Sequence, residues 1–172
     1  MAPGNRNHAG SDEPILKKIS VARELREAWG GAMAADPRVS GLLMSLKEAS
    51  RRSGRVMAQL GVVAACARCE ELEGGSCCGA GIENRYSPVL LFINLLLGCE
   101  LPASRRFLNS CFFLGTQGCT LAARHVLCIN YLCPALRRML EPDALALLQG
   151  TTGEEMDTIF VLHECIKQKL TA

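Results

Sequence analysis

The sequence predicts an all-α protein: a single helical domain that begins with an N-terminal antiparallel helical hairpin and contains a cysteine-rich segment. Apolar residues recur at spacings of three and four along most of the chain, as they do on the buried face of a helix. No stretch alternates apolar and polar residues as a half-buried strand does. The 172 residues, 49% of them hydrophobic, are enough for one domain with its own core.

The helical hairpin is predicted over residues 13–65, after a tail at 1–12 that is too polar to order itself. Its first helix is expected to end at Gly30-Gly31. Asp36-Pro37 then has the pattern of an N-cap followed by proline at the first helical position, and the second helix is expected to reach about Ala65. Because the connection is short, the two helices should pack antiparallel.

The second helix carries a long apolar seam in which one position, Ser53, is polar. Packing within the chain explains this seam, and a homodimer that buries it stays open as an alternative. The seam consists of Val39, Leu42, Leu46, Ala49, Ser53, Val56, Leu60 and Val63.

The cysteine content indicates the chemistry of the middle of the chain. There are ten cysteines, and the first residues contain no apolar stretch of the kind found in secretory signals. We therefore expect a cytoplasmic protein with reduced thiols, in which clustered cysteines most often bind metal. Cys99 and Cys165 each stand alone beside an apolar helix and are assigned to the core. The predicted metal ligands are the other eight: Cys66, Cys69, Cys77, Cys78, Cys111, Cys119, Cys128 and Cys133.

The spacing of these eight cysteines within residues 66–140 supports metal ligation. Cys66 and Cys69 form a C-x2-C motif that can turn two sulfurs toward one ion. We expect this motif to lie in a loop that extends to Gly81. Thiolates are soft ligands that suit zinc or an iron–sulfur cluster, and four serve each common centre. Eight cysteines can therefore supply two sites, or one site with spare thiols.

A shared site requires the two halves of the cysteine-rich segment to meet. The apolar stretch of about Pro88–Leu97 predicts a helix that ends at Gly98. A second short helix, predicted from Leu101 with Arg105 on its exposed face, would run back and return Cys111 to Cys78. We therefore predict that at least four of the eight sulfurs form one metal-sized cluster.

The C-terminal segment, residues 141–172, is predicted to pack on the same core. A short helical turn from Pro142 is expected to close at Gly150. Thr152 and Glu155 then form a capping-box pattern that would begin the last helix.

The order of motifs from Cys66 to Cys133 resembles a known family. It runs C-x2-C, a glycine-rich stretch to Cys-Cys-Gly, a cysteine before Phe-Phe-Leu, Gly-Cys-x-Leu, and an arginine before a further cysteine nine residues after the last. This order is similar to that of the YkgJ-type cysteine-cluster family, described as a zinc- or iron-chelating domain with relatives among flagellin lysine methylases. The resemblance implies metal chelation by these cysteines, and implies no particular reaction.

The expected function is therefore metal binding through a cysteine cluster, with a structural metal and a protein partner. Two alternatives stay open: an iron–sulfur redox or methyl-transfer-related enzyme, and a thiol-redox switch. Whether the chain is an enzyme is left open with them. A net charge of +2 gives no reason to expect nucleic acid as a partner, and the longest apolar stretch is too short to span a membrane.

Two polar residues between Cys119 and Cys128 are further candidates for the site. Arg124 is expected to offset thiolate charge. His125 is interpreted as structural, with a role as a ligand left open, and His163 in the last helix is interpreted as structural.

Overall fold

Helices form most of the chain in the computed structural model, which describes residues 12–73 and 77–171. The predicted all-α class with an N-terminal hairpin is confirmed. Most of the predicted tail lies outside the described residues. In the described part of the chain, no helix is long and apolar enough to cross a membrane. The helices are α1 (Glu13–Ala35), α2 (Pro37–Gln59), α3 (Val62–Glu73), α4 (Pro88–Leu96), α5 (Val126–Asn130), α6 (Pro134–Met139) and α7 (Pro142–Thr171). A 3-10 turn spans Ile82–Arg85, and two short strands are β1 (Leu114–Gly115) and β2 (Gly118–Cys119).

The hairpin of α1 and α2 turns at a single residue, Asp36. Its carboxylate accepts a hydrogen bond from the Val39 N–H at 2.9 Å, with Pro37 in the first turn, as the sequence predicted. The predicted end of α1 at Gly30-Gly31 is wrong, since the helix continues to Ala35. A helical glycine costs only about 1 kcal/mol relative to alanine, and burial of Met33 beyond the glycines offsets that cost.

The cysteine-rich segment begins on a helix, which corrects the prediction of a loop from Cys66. The predicted helix to Ala65 instead ends at Gln59, because Gly61 adopts a left-handed conformation with φ of 73°. From Val62 a new helix, α3, carries both Cys66 and Cys69.

The last helix is continuous, and both the predicted closure at Gly150 and the capping box at Thr152 are wrong. The hydroxyl of Thr152 donates to the Leu148 carbonyl one turn earlier, at 2.9 Å, in the interior of α7. Helix α7 packs extensively on α2, and this packing keeps the glycine-containing stretch helical.

Two apolar clusters form the core. The larger joins buried side chains of α1, α4 and α7 to Phe112 and Phe113. The smaller is built on Val62, Leu136 and Leu148, and therefore ties α3 to α6 and the start of α7. The cysteine-rich segment lies between these clusters and contributes thiols to both.

A buried carboxylate, Glu155, crosslinks three parts of the fold. It is fully buried, and it accepts hydrogen bonds from the hydroxyl of Ser53 on α2 and from the guanidinium of Arg124, the latter at 3.0 Å. Ser53, the polar position in the predicted apolar seam, is thus the partner of a buried acid. A buried ion pair needs such extra hydrogen bonds to offset its desolvation.

Replacing Glu155 by Gln should lower the free energy of unfolding by about 3 kcal/mol, because Arg124 would keep its charge in a largely buried position without a counter-ion. Urea denaturation followed by circular dichroism measures the loss. The matched control is Glu154→Gln, which removes an exposed pair with Arg52 and should cost less than about 1 kcal/mol. Equal losses in the two variants would contradict this role of Glu155.

Candidate metal centre

The chain returns after α4 as the shared-site prediction required, but it does so without a second helix. Gly98, with φ of 86°, makes the turn, and the chain from Leu101 to Ser110 is non-helical. The backbone N–H of Cys111 donates to the carbonyl of Cys78, and the N–H of Ala80 donates to the carbonyl of Asn109 at 3.0 Å. The two halves of the cysteine-rich segment are therefore joined by backbone hydrogen bonds.

A buried arginine holds this return in place. Arg105, predicted on an exposed face, is buried and donates to the carboxylate of Glu83 and to the carbonyl of Ser110. Glu83 is 1% exposed, and its second oxygen accepts the Gly81 N–H at 2.9 Å. The pair therefore fixes the turn after Cys78 against the stretch before Cys111.

Cys119 lies on a short hairpin, with two residues in each strand, that the sequence did not predict. Strands β1 and β2 pair antiparallel, with Leu114 opposite Cys119, and Gly118 supplies a positive φ of 104° at the turn. The N–H of Thr120 donates to the Phe113 carbonyl at 2.9 Å, which anchors the hairpin to the buried phenylalanines. Strands this short carry no period-2 pattern, so alternation could not reveal them.

A buried amide fixes the stretch between Cys119 and Cys128. Asn94 in α4 is fully buried, and its Nδ2 donates to the carbonyls of Leu90 and Ala123, each at 2.9 Å. Its Oδ1 accepts the Ala123 N–H at 2.9 Å. The signal in the sequence was the one polar residue in the apolar stretch of α4, and its role was missed.

A first set of four cysteines is defined by Cys66 and the three cysteines close enough for their charges to act on it: Cys66, Cys69, Cys77 and Cys133. Cys66 and Cys69 are three residues apart on α3 and so lie on one side of it. Cys66 and Cys133 both pack against the smaller cluster. Burial raises the pKa of the Cys66 thiol, and the nearby charges of Cys77, Cys133 and Cys69 raise it further.

The other four form a second set, in which three cysteines lie near Tyr86 and Cys78 lies near two of these three: Cys78, Cys111, Cys119 and Cys128. Burial raises the pKa of Cys111 to about 12, and the charges of Cys119 and Cys128 contribute to the shift. Cys77 belongs to the first set but also acts on Cys78 and Cys128, so the two sets adjoin.

Tyr86, between Cys78 and α4, lies near three cysteines of the second set: Cys111, Cys119 and Cys128. It is buried, its hydroxyl accepts the His125 N–H at 3.0 Å, and its ring meets that of Phe113 edge-on at 5.2 Å. Its pKa is raised by burial and then by the charges of Cys119 and Cys128. His125 caps α5, where its Nδ1 accepts the Leu127 N–H at 3.2 Å.

Arg124 acts on this set as the sequence suggested. Its positive charge opposes the upward shift of the pKa of Cys119 and Cys128, while Glu155 holds its guanidinium in place.

The thiols gather in one region without forming a closed ligand set. Within residues 12–73 and 77–171, no three or more His, Cys, Asp or Glu side chains are arranged to hold a metal ion, so the predicted four-sulfur cluster is not formed there. The donor chemistry nevertheless suits a soft metal, since all eight cysteines are free thiols. Cys165 is buried in the core as predicted, whereas Cys99 is only partly buried and lies close enough to raise the pKa of Cys119.

No family model matches the chain, and searches of curated proteins and of solved structures found no similar protein.

Replacing Asn94 by Leu should destabilise the protein by about 2 kcal/mol or more, because the buried N–H and carbonyl of Ala123 would lose their partners. Hydrogen exchange should locate the effect at the Ala123 amide. Asn130→Ala, on the exposed side of α5, serves as the control. Slow exchange at Ala123 in the Leu variant would show that Asn94 does not hold this stretch.

Proposed function

We propose that this chain binds zinc or iron–sulfur clusters through its two cysteine sets, with one centre in each set. The observation that supports the proposal best is the backbone pairing of Cys78 with Cys111, which brings together cysteines from distant parts of the sequence. A reducing compartment such as the cytoplasm would keep the thiols available.

The two sets of cysteines connect different parts of the chain. The first set connects α3 to the start of α6, where the Cys133 sulfur accepts the Leu136 N–H at 3.5 Å. The second connects the turn at Cys78 to the hairpin and to α5. Four thiolates complete a tetrahedral zinc site or bind a cubane cluster and leave no open position. Such closed centres favour a structural role, in which each metal joins segments that the core alone leaves separate.

A structural metal would stabilise part of the protein surface, and we propose that this surface binds a protein partner. Apolar side chains next to Cys128 and Cys133 are exposed, among them Val126, Leu127 and Tyr131. A second copy of the chain is one candidate partner, and sedimentation velocity across a concentration series tests for it.

A thiol-redox switch is the alternative that a specific contact favours. The side chain of Cys77 hydrogen-bonds to that of Cys78, which contributes to the raised pKa of Cys78. A disulfide between Cys77 and Cys78 would distort the turn and change the position of Cys111 relative to Cys78.

The metal proposal predicts that single variants in either set remove about half of the bound metal. Cys66→Ser should empty the first centre and Cys128→Ser the second, because a four-coordinate site does not survive the loss of one thiolate. Elemental analysis after anaerobic purification gives the stoichiometry, and visible absorbance separates iron–sulfur from zinc.

The control is Cys165→Ser, which changes a buried thiol outside both sets and should retain all of the metal. The double variant of Cys66 and Cys128 should retain almost none. Complete loss from either single variant would indicate one shared centre. A metal-free wild-type protein with titratable thiols would refute metal binding and favour the switch.

A further inference from the structure

A second chemical group lies between the start of α4 and the last turns of α7. The hydroxyl oxygen of Ser87 is 3.1 Å from Nε2 of His163, and Nδ1 of His163 is 3.1 Å from a carboxylate oxygen of Glu164. The imidazole thus contacts a serine through one nitrogen and an acid through the other.

The surrounding hydrogen bonds assign the proton positions. Ser87 caps α4 by accepting the Leu90 N–H at 3.1 Å, so its own O–H is available to donate to His163. A carboxylate can only accept, so Nδ1 of His163 carries the proton and Nε2 is the acceptor. The pKa of Glu164 is lowered by its contacts with His163 and Lys167, which keeps it ionised at neutral pH.

The serine and the histidine line an open pocket of about 550 Å³, large enough for a small organic molecule. Ile129, Ile159 and Phe160 form much of its apolar wall. Arg85 also lines it and is exposed; within the described part of the chain, no hydrogen bond or ion pair engages its guanidinium. The pocket therefore combines a hydrogen-bonded nucleophile and base, an apolar wall and an available cation.

We propose that Ser87, His163 and Glu164 form an acyl-transfer site that hydrolyses small esters with short apolar acyl groups. Ser87 is the nucleophile, His163 the general base, and Glu164 the group that orients the imidazole. Arg85 provides positive charge for the oxyanion. This order of contacts, hydroxyl to imidazole to carboxylate, defines serine hydrolases on unrelated folds.

The reaction balances with water as the only co-reactant. The Ser87 oxygen forms a bond to the acyl carbon while its proton passes to Nε2 of His163. The bond from the acyl carbon to the alcohol oxygen breaks, and the alcohol leaves with that proton. Water then attacks the acyl-serine, again giving its proton to His163, which returns it to the Ser87 oxygen as the carboxylic acid is released.

The test uses the full-length protein with p-nitrophenyl butyrate, and with a fluorophosphonate probe that forms a phosphorus–oxygen bond at an activated serine and releases fluoride. We expect saturable release of p-nitrophenol and probe labelling that peptide mass spectrometry locates at Ser87. His163→Asn should lower kcat/KM about 100-fold or more, the range that general-base catalysis supplies. Ser87→Asn should abolish labelling.

The choice of variants separates catalysis from folding. Asparagine caps helices as well as serine does, so Ser87→Asn keeps the cap of α4 and removes only the nucleophile. Glu164→Gln should lower kcat with little change in KM, whereas Glu154→Gln, which changes an exposed glutamate of the same helix, should match the wild type. Absence of labelling at Ser87 in a folded wild-type protein, or hydrolysis that persists in the Ser87→Asn variant, overturns the proposal. Neither result depends on metal content, so this proposal and the metal proposal fail separately.

Discussion

The buried ion pair between Glu83 and Arg105 is the interaction on which the cysteine-rich region depends. It connects the turn that follows Cys78 to the stretch that precedes Cys111, and these stretches carry backbone hydrogen bonds between the two halves of the region. Removing two charges from water is costly, and hydrogen bonds from Gly81 to Glu83 and from Arg105 to Ser110 and Asp12 offset the cost. Because these partners come from three different stretches of chain, the full set of bonds forms only when the return path is correct.

Two other buried polar groups complete the arrangement. Asn94 binds both backbone groups of Ala123 from the side of α4, and Glu155 binds Arg124 from the side of α7. The chain between Cys119 and Cys128 is thus held at neighbouring residues by two different helices. Apolar packing alone has no direction and would tolerate a shift of this irregular stretch, whereas directional hydrogen bonds from buried groups accept only one position.

What the sequence predicted and what it missed have separate physical causes. The helical class, the cap at Asp36 and the helix from Pro88 follow from local periodicity and from proline, which act within a few residues. The continuity of α7 through Gly150 and the burial of Arg105 were missed, because each depends on a partner distant in sequence. Ser53 is the clearest example: it was noted as a weak point of the apolar seam, and only the fold reveals Glu155 opposite it.

The sequence predicted that cysteines from both halves of the segment lie near one another, but it did not predict the position of each. The prediction that Cys111 returns to Cys78 is confirmed, although its reasoning relied on a helix that is absent. The split into two sets could not be predicted, because it depends on α3 carrying Cys66 to the cluster of Leu136 and Leu148. The sequence contains the spacing of the thiols but not the direction of the helix that carries them.

The relation between the core and the thiols determines what a metal could contribute. The larger apolar cluster is built mainly from α1, α4 and α7 and includes Cys111 and Cys165 only as small buried side chains. That cluster gives the bundle a source of stability independent of any metal, unlike small domains that fold only when metal binds. Burial raises the pKa of Cys66, Cys111 and Cys128, so metal binding at these thiols would displace protons. A metal would therefore act on a bundle that is already formed, exchanging protons for coordinate bonds and tightening the segment from Cys66 to Cys133 against it.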